Sequence, residues 1–142
     1  MRRVSDGTNV YLLDTNIFLE LLLDQKESGS VRTLLSSKTP EELGISDLAF
    51  HSIGIILYQK NAAHLFTDFI RDLFGEGGIT IFGLGSEDME RVEQVSISFN
   101  LDFDDAYQYV VAEKFGLIIV SFDTDFDRTD RKRIIPAGIL KQ

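Results

Sequence analysis

The sequence predicts an α/β domain of three layers, with a mainly parallel sheet of four or five strands between helices. Three observations predict it. Short apolar runs alternate with stretches of helical periodicity along the chain. Capping residues or glycines separate them, with no internal repeat and no linker rich in Pro or Gly. Acids stand directly behind several of the strand-like runs.

Residues 10–13 form an apolar run that reads as a buried strand, and Asp14-Thr15-Asn16 behind it can cap a helix over 17–23. Residues 31–35 suggest a second helix. A short strand over 43–45 closes on Ser46-Asp47, a second capping pair, before the almost wholly apolar 48–58, which predicts a buried helix. Residues 62–74 are amphipathic, with Leu65, Phe66, Phe69, Ile70 and Leu73 on one face, and Gly75-Glu76-Gly77-Gly78 breaks the pattern. A strand follows over 79–82, then a helix over 86–99 capped by Ser86. A further helix over 102–115 ends at Gly116. Residues 117–120 are a strand, 121–126 a loop, and Ile134-Ile135 a last short strand. Pro40 and Pro136 read as neighbours of strands rather than parts of helices. All 142 residues fit one domain, 1–142.

Composition narrows the function. With 44% hydrophobic and 26% charged residues the balance is globular. No apolar run is long enough for a membrane span, and the opening residues 1–7 lack the apolar stretch of a signal peptide. Cysteine is absent, which excludes a disulfide framework and a thiolate metal site and suits the cytoplasm. A net charge of −9 argues against nucleic acid, because phosphate binding rests on Lys and Arg. Nucleic acid becomes a fitting partner again if some of the carboxylates form a site that is neutral only with metal bound.

The positions of the acids favour such a site. In an open parallel sheet, ligands bind beyond the carboxyl ends of the strands. Asp14 follows the first strand and Asp123 follows the 117–120 strand. Asp102, Asp104 and Asp105 begin the helix between, and Asp102 and Asp105 share a face at a spacing of three. Carboxylates so gathered raise one another's pKa, a conflict that a divalent cation removes. Mg²⁺ and Mn²⁺ prefer such oxygen ligands. Plainer roles exist for each acid: Asp14 and Asp104 as helix caps, Asp125 as the acceptor of an Asx turn. The joint pattern outweighs its members.

The motifs also resemble a known family. Tyr11-Leu12-Leu13-Asp14-Thr15-Asn16-Ile17-Phe18 is similar to the opening motif of PIN domains. Asp104-Asp105-Ala106, with Ala112, Gly116 and the 117–120 strand, is similar to the central acidic helix. Ser121-Phe122-Asp123-Thr124-Asp125-Phe126 is similar to the closing motif, with Ser121 where Thr is usual. The three occur in the family's order over residues 10–126. The resemblance implies a Mg²⁺- or Mn²⁺-dependent ribonuclease acting on single-stranded RNA. Many small members are toxins of toxin–antitoxin pairs, of the virulence-associated protein C type, so an antitoxin or a homodimer is an expected partner. By position, Asp14, Asp105 and Asp123 would be the catalytic metal ligands. Asn16 and Ser121 would support them through hydrogen bonds, beside Asp102 and Asp125.

One position departs from the pattern. The family carries an acid, usually Glu, in the helix after the second strand, and here its place falls at Ser52, beside His51. Asp47 and His51 are four apart and could meet on one face. Either His51 is then a buried imidazole bonded to Asp47 or a carbonyl, or His51 or Asp47 partly replaces the lost carboxylate. A basic cluster, Arg128, Arg131, Lys132 and Arg133, follows the closing motif and is either a phosphate-binding rim or a solvated patch. A haloacid-dehalogenase-type phosphatase would need an Asp where Asn16 stands, and a receiver domain needs an acceptor Asp and a Lys that are not evident. A degenerate PIN-like domain that binds RNA or a protein without cutting is the remaining alternative.

Overall fold

The computed structural model describes residues 9–75 and 78–140. The opening residues 1–7, read above for a targeting signal, and Glu76 and Gly77 of the glycine break lie outside the described residues. Four parallel strands form the sheet: β1 (Tyr11–Leu13), β2 (Leu43–Ser46), β3 (Thr80–Phe82) and β4 (Ile118–Val120), in the order β3-β2-β1-β4. Tyr11 pairs with Leu43 on one side and Ile118 on the other, so β1 is central. Helices α1 (Thr15–Leu22), α2 (Ser28–Ser37), α3 (Asp47–Gln59), α4 (Ala63–Phe74), α5 (Met89–Phe99), α6 (Phe103–Phe115) and α7 (Pro136–Leu140), with 3₁₀ turns at Pro40–Glu42, Ser86–Asp88 and, within the expected loop after β4, Thr124–Arg128, complete the described elements.

The strands are short, but alternation lets β1 and β4 each feed two cores. Leu12 enters an apolar cluster with Val95, Val110 and Val111 of α5 and α6. Its neighbours Tyr11 and Leu13 enter the opposite cluster with Ile17, Phe18, Ile45, Ile53 and Phe69. The sheet is thus covered on both faces, which explains why its strands read as continuous apolar runs. Helix α6 fits this frame tightly. Asp102 caps it by accepting from the Asp105 N–H at 3.0 Å, and it ends where Gly116 adopts a left-handed φ of 69°. Among the described residues no helix is long and apolar enough to cross a membrane.

Four expectations change. Ile134-Ile135 does not form a fifth strand: Ile134 makes a single parallel bridge to Val120, and Pro136 then opens α7. Both prolines begin helical turns, because Pro40 likewise opens the short 3₁₀ turn Pro40–Glu42; a missing N–H costs nothing at that position. Ser86 does not cap α5. A 3₁₀ turn, Ser86–Asp88, precedes the helix, and Asp88 ties it by accepting from the Gly85 N–H at 2.8 Å. Finally, α3 is not buried all round. Ala49, Ile53, Gly54 and Leu57 face the core, whereas Ile55 and Tyr58 are 58% and 63% exposed.

Candidate metal centre

The chain lays β1, β2 and β3 outward in one direction, then returns β4 to the other side of β1. The β1–β4 boundary is therefore the switch point of the sheet, where the connections leave in opposite directions and open a crevice. Asp14 leaves β1 there and Asp123 leaves β4. Helix α6 brings Asp105 to the same place, and the three acids line one cavity of about 360 Å³ with Asn16, Ser52, Asp102 and Asp104.

Asp14 is the N-cap of α1, and its Oδ1 accepts from the Thr15 N–H at 2.8 Å. Ser121 Oγ donates to Asp14 Oδ2 at 2.7 Å. The same Oγ accepts from the Asp123 N–H at 2.9 Å and from Asn16 Nδ2 at 3.2 Å. Asn16 Oδ1 in turn accepts from the Phe122 N–H at 3.2 Å. One buried hydroxyl thus ties the exits of β1 and β4 together. Asp123 Oδ1 accepts from the Asp125 N–H at 2.9 Å. The Asx turn of this loop is therefore made by Asp123, and Asp125, expected above as its acceptor, supplies the N–H.

Electrostatics set the chemistry. Asp105, Asp123 and Asp125 each present an oxygen within 4.8 Å of the others. Burial pushes the Asp105 carboxyl up to about 8, helped by a hydrogen bond and the charge of Asp123, then by the charges of Asp102 and Asp14. Burial also raises Asp14, although its bonds from Ser121, Gln108 and Thr15 pull the other way. Against this, Arg128 donates to Asp125 Oδ1 at 3.0 Å. A site of crowded, partly desolvated oxygen donors suits a hard divalent cation, which would satisfy them together. Asp105, Asp123 and Asp125 are the acids close enough together to hold it, and Asp14 lines the same cavity outside that trio.

The remaining predicted residues separate. Ser52 lines the acidic cavity. His51 does not: it is exposed, packs edge-on against Phe50 at 5.8 Å between ring centroids, and lines a different, apolar groove with Ile55, Tyr58 and Phe66. Neither reading of His51 given above survives, since Asp47 is engaged elsewhere, accepting from Tyr107 Oη at 2.7 Å and the Leu48 N–H at 2.8 Å. Tyr107 Oη itself accepts from the Leu84 N–H at 3.1 Å. Burial and the bond to Asp47 push its pKa up to about 12.

The basic cluster does not form one patch at the rim. Arg128 donates to the Phe99 and Asn100 carbonyls at 3.1 and 2.6 Å as well as to Asp125. Arg133 holds Asp127 and the Ser121 carbonyl. Arg131 reaches the Leu117 carbonyl at 3.5 Å, at the start of β4 and away from the acids. Lys132 is exposed, with a left-handed φ of 58°. Replacing Arg128 by Met is expected to lower stability by about 1 kcal/mol, since two carbonyls closing α5 lose their donor. Arg131→Met should cost less than half of that. Urea unfolding of the two variants measures the difference.

Sequence reasoning missed Gln108, which donates from Nε2 to Asp14 Oδ1 at 2.9 Å. Its signal was present: a lone amide in the otherwise apolar interior of the 102–115 helix, three residues after Asp105. Asp104, weighed above as a solvated cap, is exposed but also lines the cavity.

A family model described as PIN domain matches residues 11–132. Solved structures share the fold. VapC20 of Mycobacterium tuberculosis, described as a sarcin-ricin loop cleaving toxin, is 17% identical with a TM-score of 0.74, covering 89% of this chain and 99% of its own. A toxin–antitoxin complex from Klebsiella pneumoniae is 17% identical with a TM-score of 0.70, over 89% of this chain and 97% of its own. FitAcB from Neisseria gonorrhoeae is 19% identical with a TM-score of 0.68, over 90% and 99%. No curated protein matches the sequence.

Proposed function

Since the chain belongs to the PIN domain family, we propose that it is a divalent-metal-dependent endoribonuclease that cuts single-stranded RNA, acting as the toxin of a toxin–antitoxin pair in the cytoplasm. The observation that carries this reading is the meeting of Asp14, Asp105 and Asp123 in one cavity at the switch point of the sheet. The toxin descriptions of the VapC20 and Klebsiella pneumoniae structures support the biological role.

In this reading Asp14, Asp105 and Asp123 hold Mg²⁺ or Mn²⁺. When bound, the cation supplies positive charge for the scissile phosphate and acidifies an attacking water. Ser121 and Asn16 fix Asp14 and the Asp123 loop, so the carboxylates need little reorganisation on binding. Asp104, exposed on the cavity wall, adds a further acceptor there. Lys132 is the member of the basic cluster best suited to an RNA phosphate, because Arg128 and Arg133 are already engaged. The apolar surface around Ile55 and Tyr58 supports a protein partner, an antitoxin or a second copy.

A second reading, binding without cleavage, is favoured by one observation: Ser52 lines the cavity where the family carries an acid. A nuclease assay on single-stranded RNA with Mg²⁺, Mn²⁺ or chelator distinguishes the two. Cleavage in either metal, absent with chelator, is the expected result. Intact RNA that is nevertheless retained by the protein would establish the second reading instead.

A further inference from the structure

We infer that Gln108 is a positioning residue for Asp14, fixing which carboxylate oxygen faces the acidic cavity. The inference rests on the reading of Asp14 as a metal ligand. Gln108 is 3% exposed and does not line the cavity, so it acts from behind its partner. Its Nε2 donates to Asp14 Oδ1 at 2.9 Å, while its own Oε1 is buried without a hydrogen-bond partner. An orphaned buried carbonyl costs folding free energy, and the neighbours Val110, Val111 and Ala112 show that the helix otherwise fills this core with apolar groups. An amide here is explained by what its N–H does for Asp14. The reverse amide orientation would set an acceptor against an acceptor.

Counting lone pairs shows the consequence. An ionised carboxylate offers about four acceptor sites, two on each oxygen. Oδ1 of Asp14 takes the Thr15 N–H and Gln108 Nε2, and Oδ2 takes Ser121 Oγ. The free site is therefore on Oδ2. Without Gln108, Oδ1 would regain a lone pair, and only the Thr15 N–H and Ser121 Oγ would hold the carboxylate's orientation. Gln108 also lies one turn beyond Asp105 on α6. The same rigid helix thus presents one acid directly and orients a second, at the exit of β1, through its amide.

Two measurements test this. In the metal-free protein, proton exchange at the Gln108 side-chain amide is followed by NMR. One of its protons is expected to exchange slowly, and to lose that protection in Asp14→Ala; rapid exchange in the wild type would overturn the inference. Next, Mn²⁺ is titrated calorimetrically into wild type, Gln108→Met and Val111→Ala. Gln108→Met is expected to weaken Mn²⁺ about tenfold or more, the usual effect of removing a ligand's outer partner. Val111→Ala should lower thermal stability with Mn²⁺ affinity unchanged. Equal affinity in Gln108→Met and wild type would also overturn the inference. If the wild type takes up no Mn²⁺, the metal reading falls, and the amide exchange alone decides whether Gln108 holds Asp14.

Discussion

Replacing Asp105 by Asn is expected to abolish RNA cleavage and, in the absence of metal, to stabilise the fold. The loss of activity should be at least about a hundredfold, since removing a ligand exceeds removing its outer partners. The gain in stability follows from the raised carboxyl. In the folded protein Asp105 titrates at about 8, against an ordinary 3.8. Below pH 4 the folded and unfolded chains both carry the proton, and the group costs nothing. Between about 4 and 8 the unfolded chain ionises first, so unfolding releases a proton and stability falls as pH rises. Above about 8 the loss is complete. Because the cavity opens to solvent, the loss is discounted to roughly 2 kcal/mol. The Asp105→Asn variant carries no such slope. In metal-free buffer from pH 4 to 9 the urea midpoints of the two proteins should therefore separate only at high pH, and Mg²⁺ should raise the wild-type midpoint alone. Parallel curves would show that Asp105 is not held in the crowded environment described.

Substitution of Ser52 by Glu should act in the opposite sense. Ser52 lines the cavity on the same face of α3 as Ile56, and its hydroxyl offers a dipole where a carboxylate offers a charge. A fourth close acid is expected to raise Mg²⁺ affinity about tenfold, equivalent to roughly 1.4 kcal/mol, and to increase cleavage. Without metal the added charge meets Asp14 and Asp105, so stability should fall by about 1–2 kcal/mol. Calorimetry with Mg²⁺ and Mn²⁺ checks the first expectation and thermal unfolding the second. Unchanged affinity for both ions would mean that a side chain at position 52 does not reach the acids.

The sequence made the strands and the principal acids legible because both follow local rules. A strand buried on two faces reads as an apolar run, and a carboxylate behind it marks the ligand-binding edge. The phase of α3 was not legible in the same way. Residues 48–58 are nearly apolar all round, so periodicity did not separate the cavity face of Ser52 and Ile56 from the groove face of His51, Ile55 and Tyr58. Ile55 borders both. Arg128 and Gln108 failed for a different reason. Their partners, the Asn100 carbonyl and Asp14, lie 28 and 94 residues away, beyond any window of local pattern. The short turn before α5 was hidden because Ser86 is a favourable cap in isolation, while the Asp88 side chain bonding the Gly85 N–H is a detail of the folded backbone.

The pairing of β1 with β4 also sets an order of events during synthesis. Ser121 and Asp14 bond across 107 residues of chain, and the fourth strand can dock on the first only after the helices of both faces have emerged. Strands β1 to β3 and their helices can gather earlier, but Asp123 is still missing from the cavity. Contacts of such long sequence separation form late and slowly. A polypeptide interrupted anywhere before residue 117 therefore lacks β4 and carries an incomplete acid cluster. The acids that gather around the cavity are therefore complete only once Asp123 has been made.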